Sequence, residues 1–399
     1  MSRGEGRTKT VANWSQLGAV FYAFDAAVQV QGDNYLEVLP ILSPANLDYN
    51  GKRMPTEQSE VTTMSDRPPI SVVIPTYHAR RFLPACLSVV MAQLRPSDEI
   101  VLVDNHSRDR AGAWVRAHLP TVRVLDLPYN AGFAGGVNAG IAVARGDLIL
   151  LINDDALAEP GCVAALWQAL VISPAAGWAA GVLTFSRQPD IVAGAGIRFQ
   201  ADGIATDRDL GLPVSALPSQ PQPVFGASGG LALLRRSMLD DIGLFADFFS
   251  YLEDADLAWR ARLRGWECVL APHARARHIY SATAGVASPL KQRLLGRNRL
   301  RMIIRCLPTP LLVACLPSIL AYDGMVIAYA ALRRQPALIA GRLMALAEVP
   351  MLLRQRRVIQ DRRTATIPAL ARWIEPPAGP LTTWRLQRRL ARLTQPATT

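Results

Sequence analysis

The chain is predicted to be an α/β protein whose mostly parallel sheet is flanked by helices. Three observations predict it. Short, wholly apolar runs rich in Ile, Val and Leu recur between Ile70 and Ile152, and stretches with helical spacing separate them. Polar residues cluster just past the ends of these runs, at Thr76-Tyr77, Asp104-Asn105 and Asn153-Asp154-Asp155. Continuous apolar strands alternating with helices indicate βαβ units covered on both faces. Ligands of such open sheets bind at the carboxyl ends of strands.

Ile70–Ile74 (ISVVI), bounded by Pro69 and Pro75, is the first strand, and Arg81–Leu94 has helical spacing. Glu99–Val103 (EIVLV) is a second buried strand, followed by a helix at Ala111–His118. Val122–Leu125 is a third strand, Ala134–Ala144 a helix and Leu148–Ile152 (LILLI) a fourth strand. Much later, Cys268–Pro272 (CVLAP) is strand-like. Residues 67–290 are read as one domain on this basis. Residues 1–66 lack repeat, periodicity or motif and end in the polar run Gly51–Asp66. They are read as an extension, poorly ordered or created by a misassigned start before Met64, with a small packed subdomain as the alternative.

The 399 residues carry 43 Lys plus Arg against 32 Asp plus Glu, a net charge of +11, and half are hydrophobic. That excludes a disordered chain. Residues 291–399 alone hold 19 Lys/Arg and 4 Asp/Glu, a local +15, which leaves −4 for the first 290. Basicity confined to the last quarter argues against a nucleic-acid-binding fold, and its arginines lack the interleaved aromatics that stack bases. This region is read as helical and membrane-associated. Leu311–Leu332 reaches the roughly 20 apolar residues a bilayer requires, although Pro317 and Asp323 interrupt it. Ala337–Leu353 is a second apolar stretch and runs into Arg354, Arg356 and Arg357. Spanning, interfacial and ordinary packed helices all remain open, and the basic flank suits an anionic membrane surface. The five cysteines include no CxxC pair. Their odd number, with no recognisable secretory signal, fits a reducing compartment.

Four segments carry chemistry. In LILLINDDA a buried strand runs straight into Asn153, Asp154 and Asp155. Adjacent carboxylates repel, and a divalent cation with substrate phosphates relieves that repulsion; a turn with a helix cap is the plainer reading. In FFSYLEDADLAWR, Glu253, Asp254 and Asp256 follow Phe248, Phe249 and Tyr251. The aromatics suit a sugar ring and a carboxylate there suits a general base, whereas the helix dipole alone also explains acidic residues at a helix start. Asn130–Gly140 (NAGFAGGVNAG) is a loop-to-helix turn that a phosphate can approach, without the spacing of a dinucleotide fingerprint. A second flexible loop, Gly226–Gly230 (GASGG), precedes Arg235 and Arg236, which are expected near an anionic substrate.

Taken in order, VVIPTY, IVLVDNHSRD, NAGFAGGVNAG, LLINDDA, GASGGLALLRR, GLFADFFSYLEDADLAWRARLRGW and HIYSATAG make the segment from Pro69 to about Gly285 resemble family 2 glycosyltransferases of the GT-A fold, in particular bacterial rhamnosyltransferase-like members. The resemblance implies a donor-nucleotide pocket of Pro75, Thr76, Tyr77, Asp104, Asn130, Gly132, Asn138, Asn153 and Asp154, with Asp104 reading the base. It implies Asp155 and His278 as ligands of Mg²⁺ or Mn²⁺, with Asn153 in the first place of a DxD-like motif. Asp254 matches the catalytic base, and Gly229, Gly230, Phe249, Tyr251 and Glu253 fall at the sugar and acceptor side. The implied reaction moves a sugar from a nucleotide diphosphate donor (dTDP-rhamnose or a UDP-sugar) to a hydroxyl of a cell-surface glycan or lipid-linked acceptor, with inversion. The implied location is the cytoplasmic face of the bacterial inner membrane. A sugar nucleotidyltransferase is disfavoured because PTYHARR, after the first strand, lacks glycines. A catalytically inactive membrane-tethered carbohydrate-binding or scaffold protein is disfavoured by intact Asp155, Asp254 and His278.

Overall fold

The structure is a computed structural model that describes residues 67–279 and 288–378. The expectations for residues 1–66, for 280–285 of the HIYSATAG motif and for the chain after 378 lie outside the described residues.

The first half follows the expected alternation: β1 (Ile70–Thr76), α1 (Leu83–Met91), β2 (Glu99–Asp104), α2 (Ala111–His118), β3 (Arg123–Asp126), α3 (Gly132–Val143), β4 (Leu148–Ile152), β5 (Ala156–Ala158) and α4 (Cys162–Ile172). β1 extends through Pro75 because β4 pairs with it only as far as Val73, leaving β2 as its one neighbour there. A proline lacking an N–H is tolerated on such a one-sided stretch. Then come β6 (Ala176–Phe185), β7 (Gln188–Gly194), β8 (Ile197–Gln200), β9 (Ala205–Asp207), β10 (Gln222–Val224), β11 (Leu231–Arg235), α5 (Arg236–Ile242), α6 (Glu253–Leu263) and β12 (Glu267–His278). The chain continues with α7 (Pro289–Cys306), α8 (Thr309–Arg333), α9 (Pro336–Ala347), α10 (Val349–Asp361), α11 (Ile367–Ala371) and β13 (Ile374–Glu375).

The main sheet runs β10-β12-β6-β11-β4-β1-β2-β3, with β5 on β12 and β7 on β6. β4, β1, β2 and β3 are parallel. β11 enters antiparallel to both β4 and β6, so the complete sheet is mixed. Register sets Thr76 opposite Asp104 and Asp104 opposite Asp126, which lines up the polar carboxyl ends. Side chains alternate between two cores, as the pleat requires. Val73, Val103 and Leu151 face α3 and α6; Val72, Ile74 and Leu150 face α1, α2 and α4.

The first of these cores does not stop at residue 290. Met302, Ile303, Cys306 and Leu307, at most 3% exposed, belong to it, as do Leu311, Cys315 and Ile319 of α8. At about 1.5–3 kcal/mol for each large apolar side chain buried, α7 is part of the sheet domain's own core. Asp256 of α6 is fully buried between Arg260 at 2.8 Å and Arg305 of α7 at 3.3 Å. Burial alone would raise its carboxyl, but the two guanidinium groups outweigh it and hold it below the ordinary value.

Candidate active site

β4 ends at Ile152 and the chain turns at once through Asn153, Asp154 and Asp155. The turn is fastened on several sides. Asn153 donates its backbone N–H to Gly230 at 3.1 Å, and its carbonyl accepts from Ala156 at 3.1 Å and from the Cys86 thiol at 3.5 Å. The carbonyl of Asp155 accepts from Ile279 at 3.2 Å, which draws the end of β12 alongside. His278, registered with Ala156 of β5, then brings Nε2 to 3.0 Å from Asp155 Oδ1 and 3.3 Å from Asn153 Nδ2. Asp154 faces the end of β1. Burial pushes its carboxyl up to about 7; the Thr76 hydroxyl pulls it back, Asp155 adds to the rise, and the Tyr77 N–H and His278 restrain it.

A glycine loop connects this turn to the second carboxylate cluster. Gly230 accepts from Asn153, while the N–H of Gly229 donates to Asp254 Oδ2 at 3.4 Å. Asp254 Oδ1 accepts from Ala255 at 2.8 Å, an N–H of the first turn of α6. Burial raises the Asp254 carboxyl, and these two N–H groups restrain the rise. Glu253 is raised further, by burial and then by the adjacent Asp254 charge, and its Oε2 finds no hydrogen-bond partner among the described residues.

The loop that presents this pair is strained. Phe249, Tyr251 and Leu252 have φ of 67°, 72° and 68°, a region costly to side chains with a Cβ. Asn298 of α7, fully buried, holds it by donating from Nδ2 to the carbonyls of Phe248, Ser250 and Tyr251 at 3.0, 2.9 and 2.9 Å. On the other side the Phe249 carbonyl accepts from Ala134 at 3.0 Å, and Ser250 Oγ accepts from Phe133 N–H at 3.2 Å. Gly132 is required at this junction. Its φ is +73°, and a Cβ there would collide with the Phe249 carbonyl and ring.

Thr76, Tyr77, Asn153, Asp154, Asp155 and His278 thus meet on one side of the Gly229–Gly230 loop, with Glu253 and Asp254 on the other. Pro75 is buried in β1 beneath them. Other expected residues hold backbone. Asp104 accepts from the N–H groups of Ser107 and Gly112, each at 2.8 Å, which shapes the turn into α2. Asn130 accepts from Gly132 at 2.9 Å. Asn138, expected in the donor pocket, has its amide engaged in both directions with the backbone of Phe245, at 2.8 and 3.0 Å.

Two expectations are corrected. Phe248 forms no sugar platform; it is fully buried in the core beneath the guanidinium groups of Arg301 and Arg305. Phe249 and Tyr251 remain partly exposed. Arg235 and Arg236 lie away from the site, because β11 runs antiparallel to β4 and carries them to the amino end of that strand. There they donate to the carbonyls of Leu170, Ala176, Ala144 and Gly146.

Four residues take roles that the sequence did not assign to them. Asn105 accepts from Ala131 N–H at 2.8 Å and donates to the Gly132 carbonyl at 2.7 Å, tying β2 to the glycine-rich turn. Asn298 is the second. Asp207 on β9 is the third: burial and then the Asp254 charge push it up to about 7, while His278 and Lys291 ease it. Lys291, the fourth, lies 5.3 Å from the Tyr251 ring centre. Burial lowers its ammonium, with Asp207 opposing. Sequence signals existed for Asn105, in the polar cluster after the second strand, and for Lys291, the one lysine among the 19 cations after residue 290; Asn298 and Asp207 had none.

Residues 71–243 match the family model described as Glycosyl transferase family 2. The chain is 33% identical over 102 residues to glycosyltransferase GlyG of Streptococcus pneumoniae, covering 25% of this chain and 34% of that protein. It is 30% identical over 135 residues to the dolichyl-phosphate beta-glucosyltransferase ALG5D of Trichomonas vaginalis, covering 30% of this chain and 41% of that protein. The chain therefore spans less than half the length of these relatives. Among solved structures it is similar to S. aureus TarS 1-349 in complex with UDP-GlcNAc, at 17% identity and a TM-score of 0.48, over 73% of this chain and 90% of that one. The likeness to glycosyl transferase family 2 therefore covers residues 71–243, less than half of this chain.

Proposed function

We propose that the chain is an inverting glycosyltransferase that moves a sugar from a nucleotide diphosphate donor to a hydroxyl acceptor, with Asp254 as general base. The observation that carries this reading is the Gly229–Gly230 loop. It binds the Asn153 turn through one glycine and the Asp254 carboxylate through the other, at 3.1 and 3.4 Å. A donor diphosphate and an attacking hydroxyl need such neighbouring sites.

A base must be unprotonated yet basic, and burial makes Asp254 more basic than an exposed carboxylate. Its two backbone N–H contacts fix the carboxylate, leaving lone pairs for the acceptor hydroxyl. Inversion follows from one displacement at the anomeric carbon, with the acceptor proton passing to Asp254 and the diphosphate leaving. Phe249 and Tyr251 supply partly exposed rings beside that carbon, and Glu253, Gly229 and Gly230 the adjoining wall. Thr76, Tyr77, Asp104 and the Asn130–Gly132 turn form the nucleotide side.

Asp155 and His278 fit a divalent cation. Their donor atoms converge at 3.0 Å, and the flanking Asp154 carboxyl is raised by burial in the way an uncompensated buried charge would be. Among the described residues no group of three His, Cys, Asp or Glu side chains gathers to hold a metal. Two protein ligands suit Mg²⁺ or Mn²⁺, which otherwise takes water and phosphate oxygens. When bound, the cation would offset charge developing on the departing diphosphate.

By resemblance, dTDP-rhamnose is the first donor to test and UDP-sugars the second. A cell-surface glycan or lipid-linked acceptor, reached from the cytoplasmic face of a bacterial inner membrane, suits the long apolar helix Thr309–Arg333, whose most apolar 18 residues have a mean hydropathy of 1.9. Titration calorimetry tests the site. Asp155→Ala should weaken Mn²⁺ and donor binding together, whereas Asp254→Asn should leave donor binding near wild type. Undiminished donor and Mn²⁺ binding by Asp155→Ala would remove the metal assignment.

A further inference from the structure

Helix α8 has two unlike sides. Leu311, Cys315 and Ile319 enter the main core, and Val326, Tyr329 and Ala330 pack with Leu338 of α9. Its one acidic residue, Asp323, is turned inward between Arg299 at 2.9 Å and Arg342 at 2.8 Å, both nearly buried. At 100° per residue the opposite side is a single stripe. Val313, Leu316, Leu320 and Ile327 fall within about 60° of one another there and stand 43–63% exposed, and the one charged residue between Thr309 and Leu332 is the inward-paired Asp323.

Cations close the stripe at both ends. Arg333 and Arg334 are exposed at its carboxyl end. At its amino end Pro308, Thr309 and Pro310 share a groove of about 500 Å³ with Arg356, Arg357 and Arg363. A 25-residue helix is long enough to cross a bilayer, but a spanning helix cannot keep one flank in the core of a water-soluble sheet domain. A second copy laid on this stripe, in either direction, would bring arginine-bearing ends together. Anionic headgroups at both ends, with acyl chains between, match the pattern.

We propose that this side of α8 lies flat in the interface of an anionic lipid bilayer, its apolar stripe at the acyl boundary and its terminal arginines on lipid phosphates. The proposal rests on the membrane location given under the proposed function and sharpens it to a monotopic surface that holds the sheet domain at the bilayer without crossing it.

The test uses the purified full chain and sedimentation with phosphatidylcholine vesicles, with and without phosphatidylglycerol. Wild type should bind the anionic vesicles at least about tenfold more tightly than the neutral ones. Removing Arg333 or Arg334 should cost about fivefold each. Leu316→Glu/Leu320→Glu/Ile327→Glu, all at exposed positions, should abolish binding while circular dichroism stays unchanged. Alkaline carbonate should release the wild type from native membranes. Equal vesicle binding by the triple variant, retention after carbonate, or a dimer that only the wild type forms would each overturn the proposal. Nucleotide-sugar turnover measured without vesicles in the same preparations separates the two readings. Turnover with no vesicle binding defeats only the surface, and vesicle binding with no turnover defeats only the transferase reading.

Discussion

At the residue scale, the proposed catalysis rests on Asp254 and on the glycines around it. Asp254 lies beside Glu253, both raised by burial, so deprotonating the pair requires a higher pH than for exposed carboxylates. A base works only when unprotonated. The acid limb of kcat should therefore sit above the ordinary aspartate value of 3.8, and activity should fall as pH drops through the raised pKa. Asp254→Asn should lower kcat by about 10²–10⁴-fold, the usual worth of a general base, and should erase that limb. A pH series of initial rates on both proteins checks it. Gly132→Ala should cost at least about tenfold in activity, because its methyl group must displace the Phe249 carbonyl and, with it, the loop leading to Asp254. Kinetics beside circular dichroism would show whether the loss occurs in a folded protein. At this scale the sequence reveals the residues that converge but not what each one touches. Thr76, Asp155, Asp254 and His278 could be named from strand ends and motif order. That Asn138 is engaged by the Phe245 backbone could not, since an amide looks the same whether it meets a ligand or a loop.

At the element scale, strands were legible where both faces are buried, as in ISVVI and LILLI, because a short uninterrupted apolar run bounded by turn residues suits a strand covered on both sides. The direction of β11 was not legible. Its residues suit a parallel or an antiparallel strand equally, and only the antiparallel course places Arg235 and Arg236 at the far edge. The role of α7 is hidden for a similar reason: its arginines belong to a basic stretch read as membrane-associated, yet Arg299, Arg301 and Arg305 are nearly buried and face the sheet domain. Through Asn298 this helix fixes the left-handed turns at Phe249, Tyr251 and Leu252. Asn298→Ala removes the two amide N–H groups shared among these three carbonyls, at a cost of about 1–3 kcal/mol for each carbonyl left buried and unpaired. It should lower kcat more than it raises KM for the donor, since the proposed nucleotide side lies elsewhere. A KM increase with kcat unchanged would show that the loop does not depend on Asn298.

At the scale of the whole molecule, the net charge of +11 divides into a slightly acidic first 290 residues and a basic remainder. The structure divides that remainder again, into arginines that tie α7 to the sheet domain and, through Asp323, α7 and α9 to α8, and arginines exposed at the ends of α8. The first set is structural and the second faces outward, so charge alone does not mark where the catalytic body ends. The proposed activity of this body is sugar transfer from a nucleotide sugar. Its most direct test is release of nucleoside diphosphate by the purified full chain with Mn²⁺, across dTDP-rhamnose, UDP-sugars and GDP-sugars, beside Asp254→Asn. The wild type should release it from one donor class, and the variant should lose about 10²–10⁴-fold while retaining donor binding by calorimetry. Release at the wild-type rate by Asp254→Asn, or no binding of any of these donors, would contradict the claim.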